Sequence, residues 1–352
     1  MSTEGTGFVD TSRLTRMSAG RRVADFLLRW ETMLFIIFVL VCVANSILSP
    51  YFRDPKNLFE TTFNFMEKAI MAMPMMFVIL LGDIDISVSG IISLSSLFMG
   101  MASLGGIDTP TLVMIGLGVG LACGFFNGLL ITQLDIPSIA VTIGSSSLFR
   151  GIANAVLGDK AFTKFPDSFA YFGQGYIGTS PIPFEMVAFA VTAIIAGVIL
   201  NLTAYGRHTY AIGNNKVAAR FSGVPVKRVR LLAFAANGLA AGIAAVLLTS
   251  RIGSMRPNIA SGWDLDVITT VVLGGVAITG GKGNIVGVLI SIFLLGFLKF
   301  GMGVLNISGK VMNIITGILL IVAILLPKFT DNVRMSIRAG AAKATAKARK
   351  TA

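Results

Sequence analysis

Thr111-Leu-Val-Met-Ile-Gly-Leu-Gly-Val-Gly-Leu-Ala-Cys-Gly-Phe-Phe-Asn-Gly-Leu-Leu-Ile-Thr-Gln-Leu134 runs without one charged side chain. About 20 mostly apolar residues in a helix cross the hydrocarbon core of a bilayer. Taken alone, the stretch reads equally well as a helix in a soluble core. That reading fails because such stretches recur, as in Thr32–Pro50 and Asn284–Leu298, until they fill most of the chain. Of 352 residues, 54% are hydrophobic and 13% charged, with a mean hydropathy of +0.81. A soluble domain carries far more polar surface. The expected fold class is an all-α membrane protein.

Working outward from the quoted stretch, apolar runs predict about ten transmembrane helices, near 32–49, 62–82, 88–104, 111–133, 137–157, 185–204, 231–251, 266–282, 285–305 and 308–326. The second, third and eighth are short or polar at an end. Spans of that kind can be broken or partly re-entrant helices lining a cavity. Gly116, Gly120, Gly124 and Gly128 recur every fourth residue. On a helix they form one stripe where backbones approach closely, which points to tight helix packing rather than ligand contact.

The net charge of +12 would suggest nucleic acid, but its distribution points to membrane orientation. Arg13, Arg16, Arg21, Arg22 and Arg29 precede the first apolar run. Arg207, Lys216, Arg220, Lys227, Arg228 and Arg230 share one loop. Lys328, Arg334, Arg338, Lys343, Lys347, Arg349 and Lys350 lie in the tail. Placing all three segments in the cytoplasm satisfies the positive-inside rule, with N- and C-termini cytoplasmic and an even number of spans. The organisation is then a cytoplasmic N-terminal tail over 1–31, a transmembrane domain over 32–326 with a cytoplasmic loop at 205–230, and a basic cytoplasmic tail over 327–352. By alternation, 158–184 is periplasmic. The run after Glu31 is too long for a cleaved signal and reads as a retained first helix. Cys42 and Cys123 lie in apolar spans and read as small core residues, with no disulfide framework and no metal site.

Candidate chemistry is sparse. Asp83, Asp85, Arg150, Asp264 and Asp266 lie in or at the ends of apolar spans, where charge is costly and marks function by default. The bland alternative is that each sits wetted at an interface. Lys299 lies near a helix end, where it can snorkel. Gly280-Gly281-Lys282-Gly283 fails the phosphate-loop pattern twice, because Val276 stands at the first glycine position and Gly283 follows the lysine. His208 has no partner of the kind catalysis or metal binding needs. No nucleophile–base pair is evident, so the chain is not expected to be an enzyme.

Loop 205–230 is the most informative segment. It reads Tyr205-Gly-Arg-His-Thr-Tyr-Ala-Ile-Gly-Asn-Asn-Lys-Val-Ala-Ala-Arg-Phe-Ser-Gly-Val-Pro-Val226. Asn214 or Asn215 can cap a short helix carrying Val217, Ala218, Ala219 and Phe221. Gly223 can end it, with Pro225 just beyond. A short helix of small and apolar residues on the cytoplasmic side suits a groove on a partner protein. The plainer reading is a loop whose charges only hold orientation.

Four segments together resemble the permease subunits of ribose/xylose-type bacterial ABC sugar importers, a family that includes rhamnose and autoinducer-2 permeases. They are Gly82-Asp83-Ile84-Asp85-Ile86-Ser87-Val88; Asn127-Gly128 with Ile136-Pro137, Thr142, Gly144 and Arg150-Gly151; Gly206-Arg207 to Gly223; and Gly262-Trp263-Asp264-Leu265-Asp266 with the glycines at 274, 275, 280, 281, 283 and 287. They cover roughly 60–325. Asp83 and Ser89 stand where the family usually has Gly, Asp264 where Glu is common, and Asn214 where a second Gly is common.

The resemblance implies a pathway between two permease subunits, alike or different. A cytoplasmic ABC ATPase would dock on loop 205–230, and a periplasmic sugar-binding protein would deliver the solute. Pathway candidates are Asp83, Asp85, Ser87, Asn127, Thr142, Arg150, Asp264 and Asp266. Coupling candidates are Gly213, Asn214, Ala218, Ala219, Arg220 and Gly223. The chain itself would hold no cofactor, ATP and Mg being bound by the ATPase, and it would reside in the bacterial inner membrane. The sugar is ordered as a deoxyhexose such as rhamnose, then a pentose, then autoinducer-2. The competing class is a stand-alone secondary transporter or channel, driven by an ion gradient through Asp83, Asp85 or Arg150.

Overall fold

A computed structural model describes residues 29–256, 258–323 and 325; the expected basic tails lie outside these residues, apart from Arg29, Trp30 and Glu31. The described residues are helical, with two isolated bridges, Phe162 to Met255 and Tyr176 to Pro183, and no strand. The helices are α1 (Trp30–Leu48), α2 (Pro55–Thr62), α3 (Met66–Leu80), α4 (Val88–Leu104), α5 (Thr109–Gln133), α6 (Ser138–Leu157), the short α7 (Tyr171–Gln174), α8 (Phe184–Leu202), α9 (Ala204–Asn214), α10 (Lys216–Phe221), α11 (Val226–Ile252), α12 (Trp263–Leu273), α13 (Ile285–Val304) and α14 (Gly309–Ala323).

Six of these, α1, α5, α6, α8, α11 and α13, are long and apolar enough to cross a membrane. The expected second span is a broken one: α2 and α3 meet at a bend of 56°. Asp54 caps α2 through its side chain, accepting from the Lys56 amide, and Pro55 pre-sets the first turn. The expected third span is α4, whose 17 residues reach about 25 Å at 1.5 Å per residue, short of the ~30 Å hydrocarbon core. The expected eighth span, 266–282, is helical only to Leu273. Gly274, Gly275 and the turn at 277–283 end it early, with the Ala277 amide donating to the Lys282 carbonyl.

α3 lies at the centre. Every residue of it except Lys68 is buried, and it packs against α8, α11 and α12. α11 is the other interior helix: 72% of its most apolar window is buried, against 11% for the peripheral α1. The glycine stripe of α5 explains how α11 is held. A Cβ on Gly120 would stand 2.6 Å from the Gly238 carbonyl oxygen and 2.7 Å from the Gly242 Cα. One on Gly124 would stand 2.7 Å from the Gly238 Cα. The two helices therefore touch backbone to backbone, a contact that larger side chains forbid.

The helix ends sort into two sets. At one end Leu80 meets the 280–281 turn and Gly213, Lys216 pairs with Asp135 at 3.7 Å, and the Trp30 indole donates to the Leu273 carbonyl. At the other, Arg251 pairs with Glu67 at 2.7 Å, and the Gly173 amide donates to the Ser250 hydroxyl at 2.8 Å. Loop 205–230 and segment 158–184 thus occupy opposite ends of the bundle.

Candidate functional site

α3 ends at Leu80 because Gly82, at φ +79°, turns the chain out of the helix. The chain then runs non-helically over 83–87 before α4 starts at Val88. Non-helical backbone at membrane depth must be sheltered by protein, and here it is. Asp83, Asp85 and Ser87 are buried.

Asp85 is wholly buried. Its carboxylate accepts from the Ser87 amide at 2.8 Å, the Ser87 hydroxyl at 2.6 Å and the Asn237 amide group of α11 at 2.7 Å. Asn127 of α5 donates to the Ser87 hydroxyl at 2.8 Å. Three expected pathway residues, Asp85, Ser87 and Asn127, therefore form one network with Asn237. The Asn127 and Asn237 side-chain oxygens accept no bond among the described residues. Asn237 escaped notice in the sequence, although a lone amide in the apolar run 231–251 is a visible signal.

Asp83 has a different environment. Arg230 of α11 grips it two-pronged, Nε to Oδ2 and Nη2 to Oδ1, both at 2.7 Å and both side chains buried. Planar guanidinium and carboxylate match in this geometry. By charge count Arg230 looks like another orienting residue of loop 205–230; its position at the start of α11 turns it inward instead.

The remaining expected pathway residues scatter around this centre. Thr142 of α6 is buried and donates to the Ser138 carbonyl at 2.9 Å, with the Ile84 carbonyl at 3.4 Å. Arg150 reaches from α6 to the carbonyls of Ser89 and Ile259, both at 3.2 Å. Asp264 and Asp266 open α12, with Asp264 within electrostatic reach of both Asp85 and Arg150. Asp266 accepts from two ammonium groups, Lys68 at 2.8 Å and Lys299 at 2.7 Å, so Lys299 does not simply snorkel away. Nothing in the sequence singled out Glu67, Glu185 or Arg251. Both glutamates are wholly buried, and Arg251 binds Glu67. Among the described residues no three His, Cys, Asp or Glu side chains gather as a metal site would require.

In loop 205–230 the backbone makes two helices rather than one. Asn215 is the cap, its side-chain oxygen accepting from the amides of Val217 at 3.0 Å and Ala218 at 2.9 Å. Asn214 instead ends α9 and donates to the Gly281 carbonyl at 3.3 Å. Gly213 lies against the Leu80 carbonyl and the Gly281 amide so closely that a Cβ would collide with both. Tyr210 donates to the Gly283 carbonyl at 2.8 Å. Ala219 is buried beneath α10, whereas Ala218 and Arg220 are exposed and Gly223 closes the turn at φ +82°. The outward apolar residues of α10 are Val217, 65% exposed, and Phe221, 89% exposed.

Residues 57–324 match the family described as the branched-chain amino acid transport system / permease component. The chain belongs to this permease family. The ribose import permease protein RbsC of Bacillus subtilis is 34% identical over 294 residues, spanning 83% of this chain and 90% of that protein. RbsC of Escherichia coli K12 is 33% identical over 320 residues, 88% and 98% of the two chains. The autoinducer 2 import system permease protein LsrD of Photorhabdus temperata is 31% identical over 301 residues, 84% and 90%. No solved structure matches. The family is the one the motifs resemble, and it makes the chain a transport component and a multi-pass inner-membrane permease.

Proposed function

We propose that this permease is the membrane-spanning subunit of an ATP-driven, binding-protein-dependent importer of a monosaccharide. The carrying observation is α10. Phe221 and Val217 project from a helix that Asn215 caps and that packs on α9, which Gly213 seats on Leu80 and Gly281. An exposed aromatic beside an exposed aliphatic side chain is the kind of anchor that protein partners cover. The partner is a cytoplasmic ABC ATPase, which holds the ATP and Mg; the permease binds no cofactor of its own.

In this reading loop 205–230, both termini and the α5–α6 turn are cytoplasmic, and ten spans result when α2–α3 counts as one and α12 with the turn after it as another. Segment 158–184 faces the periplasm and receives a sugar-binding protein. The pathway lies against a second permease subunit, the same or a related chain. One exposed stripe of α6 supports this: Gly144, Ser147, Gly151 and Asn154 line it beside the half-buried Arg150, flanked by exposed Ile143, Leu148 and Ile152, and small residues of this kind suit a helix neighbour. Because the named relatives import ribose and autoinducer 2, a pentose now leads the substrate order, ahead of autoinducer-2 and rhamnose.

Phe221→Glu tests the docking. Pull-down of the partner ATPase by the membrane-embedded permease is expected to fall at least tenfold, as for loss of a hot-spot anchor. Membrane insertion is expected to be unchanged because Phe221 touches little of its own chain. Undiminished capture by both Phe221→Glu and Val217→Glu would remove α10 as the contact.

A further inference from the structure

Away from the Asp85 network, two lysines share one carboxylate. Lys68 enters from the first turn of α3 and Lys299 from the last third of α13, and both donate to Asp266 Oδ2, at 2.8 and 2.7 Å. The cluster carries one uncompensated positive charge. An ammonium has three donors, and Asp266 takes one from each lysine. Lys68 also stands 4.8 Å from the centre of the Trp263 ring, a favourable cation–π distance.

The charges open onto two adjoining cavities of about 520 and 370 Å3, both lined by Lys68, Asp266 and Lys299. The larger is otherwise mainly apolar, walled by Phe65, Ile292, Leu295, Phe300, Val304 and Met312. It lies at the periphery, where α14 presents Ile314 and Ile318 outward, and Tyr51, 66% exposed, stands at its edge. Tyr at such a place marks headgroup level. Lys68 lies one residue from Glu67, so the site is at the end of the bundle that carries 158–184.

A neutral sugar can accept from the ammonium donors but brings no charge to offset the cluster and no apolar chain to cover the wall. A lone inorganic anion leaves the apolar wall wet. An anionic phospholipid satisfies both, its phosphate on the spare ammonium donors and an acyl chain along the wall. We propose that the Lys68–Asp266–Lys299 cavity is a binding site for an anionic phospholipid such as phosphatidylglycerol.

Native mass spectrometry of the full chain, exchanged into equal phosphatidylglycerol and phosphatidylcholine, tests this. The wild type is expected to retain phosphatidylglycerol preferentially. Lys68→Gln and Lys299→Gln should each reduce that retention about fivefold, the effect of one lysine near a charged headgroup, leaving phosphatidylcholine unchanged. Asp266→Asn, which removes the resident anion, should raise it; this opposite sign distinguishes lost charge from lost fold. Lys227→Gln, at the other end, should change nothing. Equal retention of both lipids, no response to the three cavity variants, or displacement of the lipid by millimolar inorganic phosphate would each overturn the proposal.

Discussion

At the scale of single residues, Asp83 shows how one substitution is absorbed. The motif that this segment resembles has Gly at this position, but the positive φ that needs glycine falls at Gly82, not at Asp83. The position is therefore free to carry a side chain, and Arg230 neutralises it. Breaking a buried pair on one side leaves a bare charge and costs about 3–5 kcal/mol, while replacing both partners with apolar groups is often near neutral. Asp83→Ala is thus expected to lower the thermal unfolding midpoint in detergent markedly, and Asp83→Ala with Arg230→Met to recover most of the loss. Equal loss in single and double variants would mean that the pair is not what matters.

Asp85, two residues on, is held by Ser87 and Asn237. If the pathway runs past this network, Asp85→Asn lowers uptake at least tenfold without lowering the amount of protein in the membrane; unchanged uptake would remove Asp85 from the pathway. That Asp83 and Asp85 lie at the end of an apolar run was legible in the sequence, but not whether they are buried or wetted at an interface. Their different partners were not legible either, because Arg230 and Asn237 lie on a helix far away in the chain.

At the scale of elements, the glycine stripe of α5 was readable from its period alone, since every fourth residue falls on one helical face. Its partner, Gly238 and Gly242 of α11, was not. The stripe sets up a paired prediction. Gly124→Leu forces apart backbones already in contact and should destabilise the protein by about 1–3 kcal/mol, the usual range for overpacking. Gly118→Leu, on the exposed face with nothing within 4 Å of its Cβ, should be neutral. Thermal unfolding of the two variants side by side decides it, and equal effects would contradict the packing account.

Hydropathy located the short elements but misjudged where their backbone stops being helical. The apolar run continues past Leu273 through Val276 and Ile278, yet Gly275, Gly280 and Gly281 take up positive φ and fold it into a turn against Leu80. The same limit applied to α10. Composition marked the helix, but which residue faces out depends on how α9 seats it, and Ala219 turned inward while Phe221 turned out.

At the scale of the whole molecule, the two sets of helix ends link loop 205–230 to the core. α9 rests on Leu80 and the Gly280–Gly283 turn, and α10 packs on α9 and α11. Leu80 ends the buried α3, and Arg230 at the start of α11 clasps Asp83 three residues beyond Leu80. A push on α10 thus has a short rigid route to the break between α3 and α4, where the Asp85 network sits. This is the arrangement expected of a subunit whose energy comes from a partner docked at one end.

The most direct measurement is sugar uptake into proteoliposomes holding this permease. The account predicts uptake only when the partner ATPase, its binding protein and ATP are all supplied, and none from the permease alone under a proton or sodium gradient. Gradient-driven uptake by the permease alone would contradict it.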